Sequence, residues 1–200
     1  GLTQDQKGAV EGAVFLGMAF SMLGGGFICD LLGMKRIMWL AFASHIIGAG
    51  GTILMGYGTS ETFGGQSNAF SLLWLLSILM GCGNGFTEVA INPLVATLYP
   101  RDKTHYLNVL HAWWPGGLVI GGILARIVGG GLDLGFVSVE GLGLNWQVSL
   151  FMIVLPALIY GAMLLPAKFP ATERVEAGVS NTDMFKACLR PMFFLWAICM

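Results

Sequence analysis

Apolar residues run along this chain in long, nearly unbroken stretches, not in the short alternating patches of a soluble domain. Five stretches, 8–29, 37–57, 71–98, 106–129 and 146–166, are each long enough to cross a hydrocarbon core as a helix, which takes ~20 residues. Four short connections join them: LLGMKR, GTSETFGGQSN, YPRDKTH and GGLDLGFVSVEGLGLN. A longer polar segment follows at 168–190, with Ser180, Asn181 and Thr182 as a capping cluster ahead of a new helix. Residues 191–200, PMFFLWAICM, are apolar again but too few to cross alone. The pattern predicts an all-α integral membrane bundle over 1–167, a cytoplasmic connector over 168–190 and the start of a sixth membrane helix at 191.

Composition agrees. The chain is 56% hydrophobic and 10% charged, against about 25% charged in soluble domains, and its mean hydropathy is +0.75. Thirty glycines suit helices that pack backbone to backbone in lipid, and the clusters at 24–26, 116–117 and 121–122 are where close helix sliding is expected. A net charge of −1 carried in loops gives no footprint for nucleic acid. Four cysteines, Cys29, Cys82, Cys188 and Cys199, have no paired spacing and read as packing residues. No metal site and no cofactor are expected, nor any enzyme motif such as HExxH or GxSxG.

Charge also sets orientation. Of the ten basic residues, all but Lys7 and Arg126 fall on one side of the five-span zigzag. The positive-inside rule makes that side cytoplasmic and puts the first residue outside. The chain begins at glycine, has no signal-peptide pattern and stops inside an apolar run. A piece of a longer multi-pass protein is therefore expected, with at least one span before residue 1. The expected location is the cell membrane, the inner membrane of a bacterium.

The turn between the first two spans, GGGFICDLLGMKR, sets Gly26, Asp30, Gly33, Lys35 and Arg36 at the cytoplasmic surface. Gly26 would allow close helix approach, Gly33 a tight turn, and Lys35 and Arg36 an anchor to the leaflet. An ordinary positive-inside loop with a capping aspartate is the plainer account. The spacing resembles the G-x-L-a-D-r-x-G-r-K/R signature between the second and third helices of major facilitator superfamily transporters, with Ile28, Cys29, Leu31 and Met34 as departures. The resemblance implies the N-terminal half of such a bundle without its first helix, with 168–190 joining the halves. It also implies that Asp30 holds a cytoplasmic gate through partners in the other half, outside this chain.

The third span carries GNGFTEVAINP. Glu88 is the one formal charge between Glu61 and Arg101. Positions four apart drift by about 40° on a helix, so Asn84, Glu88 and Asn92 form a stripe. Glu88 lies about 6 Å from the middle of its span, where a charge costs on the order of 3 kcal/mol and must face protein or water. In the next span Asn108 and His111 share a face, with Trp114 near it; Pro93 and Pro115 free the carbonyls of Val89 and His111 beside the stripe. Inert interhelical glue is one account of these residues, and a titrating cavity is the other. His45, alone in FASHIIG, reads as a satisfied packing histidine, and the fifth span, ionisable only at Tyr160, as a support.

E-x-x-x-N-P at Glu88, Asn92 and Pro93, followed by L-N-x-x-H at Leu107, Asn108 and His111, resembles the fucose/glucose-type sugar:proton symporters. Val89 and Ile91 replace small residues, and His111 a usual glutamine. The resemblance implies proton-coupled uptake of a monosaccharide or similar polyol. Glu88 would be the membrane carboxylate, and Asn84, Asn92, Asn108, His111 and Trp114 would line the substrate and proton site. The partners implied are a small solute, a proton, the bilayer and the remainder of the polypeptide. A carrier for a non-sugar solute, or a nutrient receptor on the same scaffold, is the alternative.

Overall fold

The computed structural model describes residues 2–59, 61–192 and 195. Its elements are α1 (Gln4–Leu32), α2 (Met34–Met55), α3 (Gln66–Leu98), α4 (Lys103–Val128), the two-residue strands β1 (Leu132–Asp133) and β2 (Ser138–Val139), α5 (Trp146–Leu164), and two short helices, α6 (Glu173–Glu176) and α7 (Asn181–Cys188). The helices α1 to α5 are each long and apolar enough to cross a membrane. Most of 191–200, where a further span is expected to begin, lies outside the described residues.

Local chemistry fixes the helix ends. Thr3 caps α1 by accepting from the Gln6 amide, while the Gln6 side chain accepts from the Thr3 amide in return. Between α1 and α2 there is one residue, Gly33, with φ 85°, a conformation that a Cβ would strain. The connection after α4 folds into an antiparallel hairpin in which the Gly135 amide donates to Asp133 Oδ1 (2.9 Å).

Helix α3 is held between α1 and α2 by glycines on two of its faces. A Cβ on Gly81 would overlap the Val14 carbonyl, one on Gly17 the Ile78 carbonyl, and one on Gly85 the Ser21 hydroxyl and Met18 carbonyl. Across the other face, a Cβ on Gly48 of α2 would lie 2.8 Å from the Met80 amide, and one on Gly83 of α3 would lie 2.7 Å from the His45 ring. Backbones this close gain dispersion contact that larger side chains would forbid. The clusters expected to mediate close packing do less: Gly24, Gly26, Gly117, Gly121 and Gly122 meet nothing within 4 Å, and Gly116 only the Trp113 ring. Close packing falls to Gly25, against Val89, and to isolated glycines spaced by helical turns.

At the basic end, Cys29, Met34, Ile37, Met38, Ala90 and Leu164 make the main core cluster, with Trp39, Phe86 and Phe169 packed on it. Helix α5 lies along α2 and is fastened to it at three levels. Gln147 Nε2 donates to the Gly56 carbonyl (3.1 Å), Tyr160 meets His45 (2.8 Å), and Lys35 Nζ donates to the carbonyls of Leu165 (3.2 Å) and Ala167 (2.7 Å). By contrast, α4 is largely exposed, with Val128 its buried residue.

The glycine contacts predict a split between substitutions of one type. Gly81→Ala should lower stability by about 1–3 kcal/mol through overpacking, whereas Gly24→Ala should leave it unchanged or slightly raised. Thermal unfolding of the purified protein in detergent reads both.

Candidate functional site

The residues of GNGFTEVAINP divide according to which neighbour each turn of α3 meets. Gly83 and Gly85 give way to α2 and α1, and the polar side chains project between these contacts. One turn apart, Asn92 Nδ2 donates to Glu88 Oε2 (3.0 Å). That leaves Asn92 Oδ1 buried with no hydrogen-bond partner among the described residues, an arrangement that is costly unless a ligand or water completes it.

Glu88 opens onto a groove of about 350 Å³, lined also by Met18 and Met22 of α1 and by His111 and Trp114 of α4. Trp114 is 53% exposed, so it offers a ring face and is not packed in a core. Asn108 is exposed on α4 and is not part of the groove lining. Two threonines bond one turn back along α3, Thr97 Oγ1 to the Pro93 carbonyl (2.8 Å) and Thr87 Oγ1 to that of Gly83 (2.9 Å); neither of these bonds is to the Val89 or His111 carbonyl that a proline frees.

Asn84 takes a different partner from the rest of its stripe. Its Oδ1 lies 3.0 Å from His45 Nε2, and His45 Nδ1 lies 2.8 Å from the Tyr160 hydroxyl. His45 is thus satisfied, as expected, but through a chain that joins α2, α3 and α5. Sequence reasoning placed His45 and Tyr160 outside the polar group. The available signal was depth, because a polar side chain in mid-span has to find another at its own level.

The second cluster lies at the basic end. Arg174 pairs with Asp30 Oδ2, and Thr172 Oγ1 donates to Asp30 Oδ1 (2.6 Å). Beside them Lys103 pairs with Glu173 (2.5 Å). Asp30, expected to find partners in the other half, thus also has two within this chain, because the connector folds back to bring Thr172 and Arg174 to it. Opposite charges at the same end of the bundle were the readable signal.

Gly33 makes the tight turn expected of it. Gly26, however, makes no close helix approach; its neighbour Gly25 points at α3, and Gly26 borders an open pocket of about 510 Å³ with Asp30, Val89, Pro93, Arg174 and Met184. Lys35 caps the C-terminal carbonyls of α5 and its onward chain instead of reaching a leaflet, and Arg36 is exposed.

Comparison with known proteins adds two findings. The sequence pattern of the Major Facilitator Superfamily matches residues 1–200. The chain is also 26% identical over 212 residues to the cis,cis-muconate transport protein of Acinetobacter baylyi (strain ATCC 33305 / BD413 / ADP1), an alignment that covers 98% of this chain and 45% of that protein. The chain therefore spans about half the length of this curated relative. No solved structure matches it.

The Asp30 contacts make the connector part of the bundle surface. Removing a partly buried carboxylate that holds a guanidinium and a hydroxyl should loosen it by roughly 1.5–3 kcal/mol. Asp30→Ala should therefore speed tryptic cleavage after Lys168 and Arg174 about tenfold or more, read as band loss over time, with cleavage after Arg101 as the internal reference.

Proposed function

Because the chain belongs to the Major Facilitator Superfamily, we propose that it is part of a secondary active transporter that takes up a neutral, hydroxyl-rich solute, a monosaccharide or similar polyol, together with a proton. Membership of the superfamily supports a multi-pass membrane carrier over an enzyme. The site it resides in is taken to be the groove at Glu88, and the membrane to be a bacterial inner membrane.

One observation carries the solute class: the groove offers acceptors and no fixed cation. Glu88 brings a carboxylate to the lining, Asn92, one turn along α3 and outside that lining, holds an unpartnered buried oxygen, and among the described residues neither lysine nor arginine lines the groove. Such a site asks its ligand for donors. A hydroxyl donates to Asn92 Oδ1 and accepts elsewhere, and a proton removes the charge of Glu88 at a depth where that charge is expensive. Trp114 gives a flat apolar face suited to the C–H side of a pyranose.

Alternating access supplies the cycle. With solute and proton bound, the groove is neutral and the bundle can reorient about its midplane site. Access from the cytoplasm then rehydrates Glu88, which releases the proton and weakens the hydroxyl contacts. His111, across the groove from Glu88, orients the carboxylate or meets the solute.

A second reading draws on the relative named as a cis,cis-muconate transporter. In it, His111 as an imidazolium holds a carboxylate, and the solute is an organic acid carried with protons. The two readings divide on one assay with the complete polypeptide in proteoliposomes. Sugar addition without an imposed gradient should raise external pH in wild type, and Glu88→Gln should abolish proton-driven accumulation while keeping exchange. A pH rise with cis,cis-muconate and none with any sugar would decide for the acid; full active uptake by Glu88→Gln would sink the coupling role of that residue.

A further inference from the structure

His45, Asn84 and Tyr160 come from three helices, and none of them lines the groove, yet one end of their chain lies a single turn from Glu88. His45 is 9% exposed, while Asn84 is exposed. The chemistry of the three groups fixes the order of donors. The Asn84 Oδ1 only accepts, so His45 Nε2 carries the hydrogen. In the neutral ring Nδ1 is then a bare lone pair, and the Tyr160 hydroxyl donates to it. Should the ring take a second proton, Nδ1 donates to Tyr160 and the bond to Asn84 is unchanged.

The ring has no room to turn away. It lies against the backbone of α3 at Gly83, where a Cβ would come within 2.7–2.9 Å of three ring atoms. Its other side meets Tyr160 edge-on, with 6.1 Å between centroids, and Tyr160 is itself edge-on to Phe42 at 6.0 Å.

We propose that His45, held by Tyr160, is a positioning residue that takes up the Asn84 carboxamide oxygen and so presents Asn84 Nδ2 as a donor-only contact to solute beside Glu88. The inference rests on the reading of the Glu88 groove as the transport site. The two asparagines of the stripe then have opposite roles. Asn92, whose Nδ2 is bound to Glu88, is left as an acceptor, and Asn84, whose Oδ1 is bound to His45, is left as a donor. They stand on either side of Glu88, each about 6 Å along the axis. A solute hydroxyl can accept at the Asn84 end or donate at the Asn92 end, whereas a carboxylate oxygen suits only the Asn84 end.

Two arms test this on the complete carrier. The first needs no solute. With 15N-histidine labelling, one ring should be neutral with Nε2 protonated; its signal should vanish in His45→Phe and move in Asn84→Ala. A ring protonated at Nδ1 alone, or one indifferent to Asn84→Ala, overturns the arrangement whatever the carrier binds. The second arm measures Kd across a monosaccharide panel by tryptophan fluorescence, with melting temperatures as a folding check. Asn84→Ala should raise Kd about tenfold, His45→Phe by a similar factor, and the double variant by no more than either. Tyr160→Phe, which keeps the ring, should weaken binding less and in the same direction. Factors that multiply, or a His45→Phe that binds like wild type, overturn the positioning role. Wild type that binds no sugar overturns the polyol reading instead. The same cycle with cis,cis-muconate then decides the role of His45, since a carboxylate also accepts from Nδ2.

Discussion

The close approach of α3 to both α1 and α2 is the constraint on which the rest of this bundle depends. It is made by removing side chains: Gly17, Gly81 and Gly85 on one seam, Gly48 and Gly83 on the other. In lipid there is no water to expel from between helices, so packing and interhelical hydrogen bonds have to supply the attraction. Glycines bring the backbones within dispersion range, and they also bring polar side chains within bonding range. His45 reaches Asn84 because a glycine at 83 lets the imidazole rest on the α3 backbone. Helix geometry and site geometry thus come from the same residues.

From that constraint follows a division of α3 into sectors. Glycines take two of them, apolar side chains such as Leu75 face outward, and the remaining strip holds the polar groups. Within the strip, each polar side chain has one strong contact and one open valence. Asn92 and Glu88 bind each other and Asn84 binds His45; beyond these bonds Glu88 lines the groove, Asn84 is exposed, and Asn92 keeps a buried oxygen without a partner. A polar strip with every valence filled would be structural glue. The unpartnered Asn92 oxygen is the feature that distinguishes this one.

Much of this was legible in the sequence. The five helices follow from run length alone, and the Glu88–Asn92 pair from a spacing of four. Gly33 was legible as a tight turn, although the connection read as LLGMKR shrinks to that single residue. The parts that were not legible all depend on relations between segments far apart in the chain. Opposite charges at the basic end hinted at a pairing, but nothing in ATERVEAG singles out Thr172 and Arg174 as the partners of Asp30, because that choice is set by where the chain runs after α5. Tyr160 read as incidental for the same reason, since its depth matches that of His45 only once α5 is docked on α2. Among the glycines, clustering drew attention to 116–117 and 121–122, but contact selects by register on the facing helix, so isolated Gly17 and Gly81 are the ones in the seams.

The bond between His45 and Tyr160 has a consequence for how the protein is made. Its two ends are 115 residues apart in the chain. At ordinary synthesis rates of about 5–20 residues per second, Tyr160 emerges roughly 6–23 s after His45. Asn84 arrives much sooner, 39 residues behind His45, so the imidazole has one partner early and waits for the second. For that interval α2 is a membrane segment with a half-bonded polar ring, shielded on the α3 side alone. The order in which the helices are born thus matches the order in which the ring is neutralised by its neighbours, and α5 closes a polar contact that has stood open since before α4 was begun.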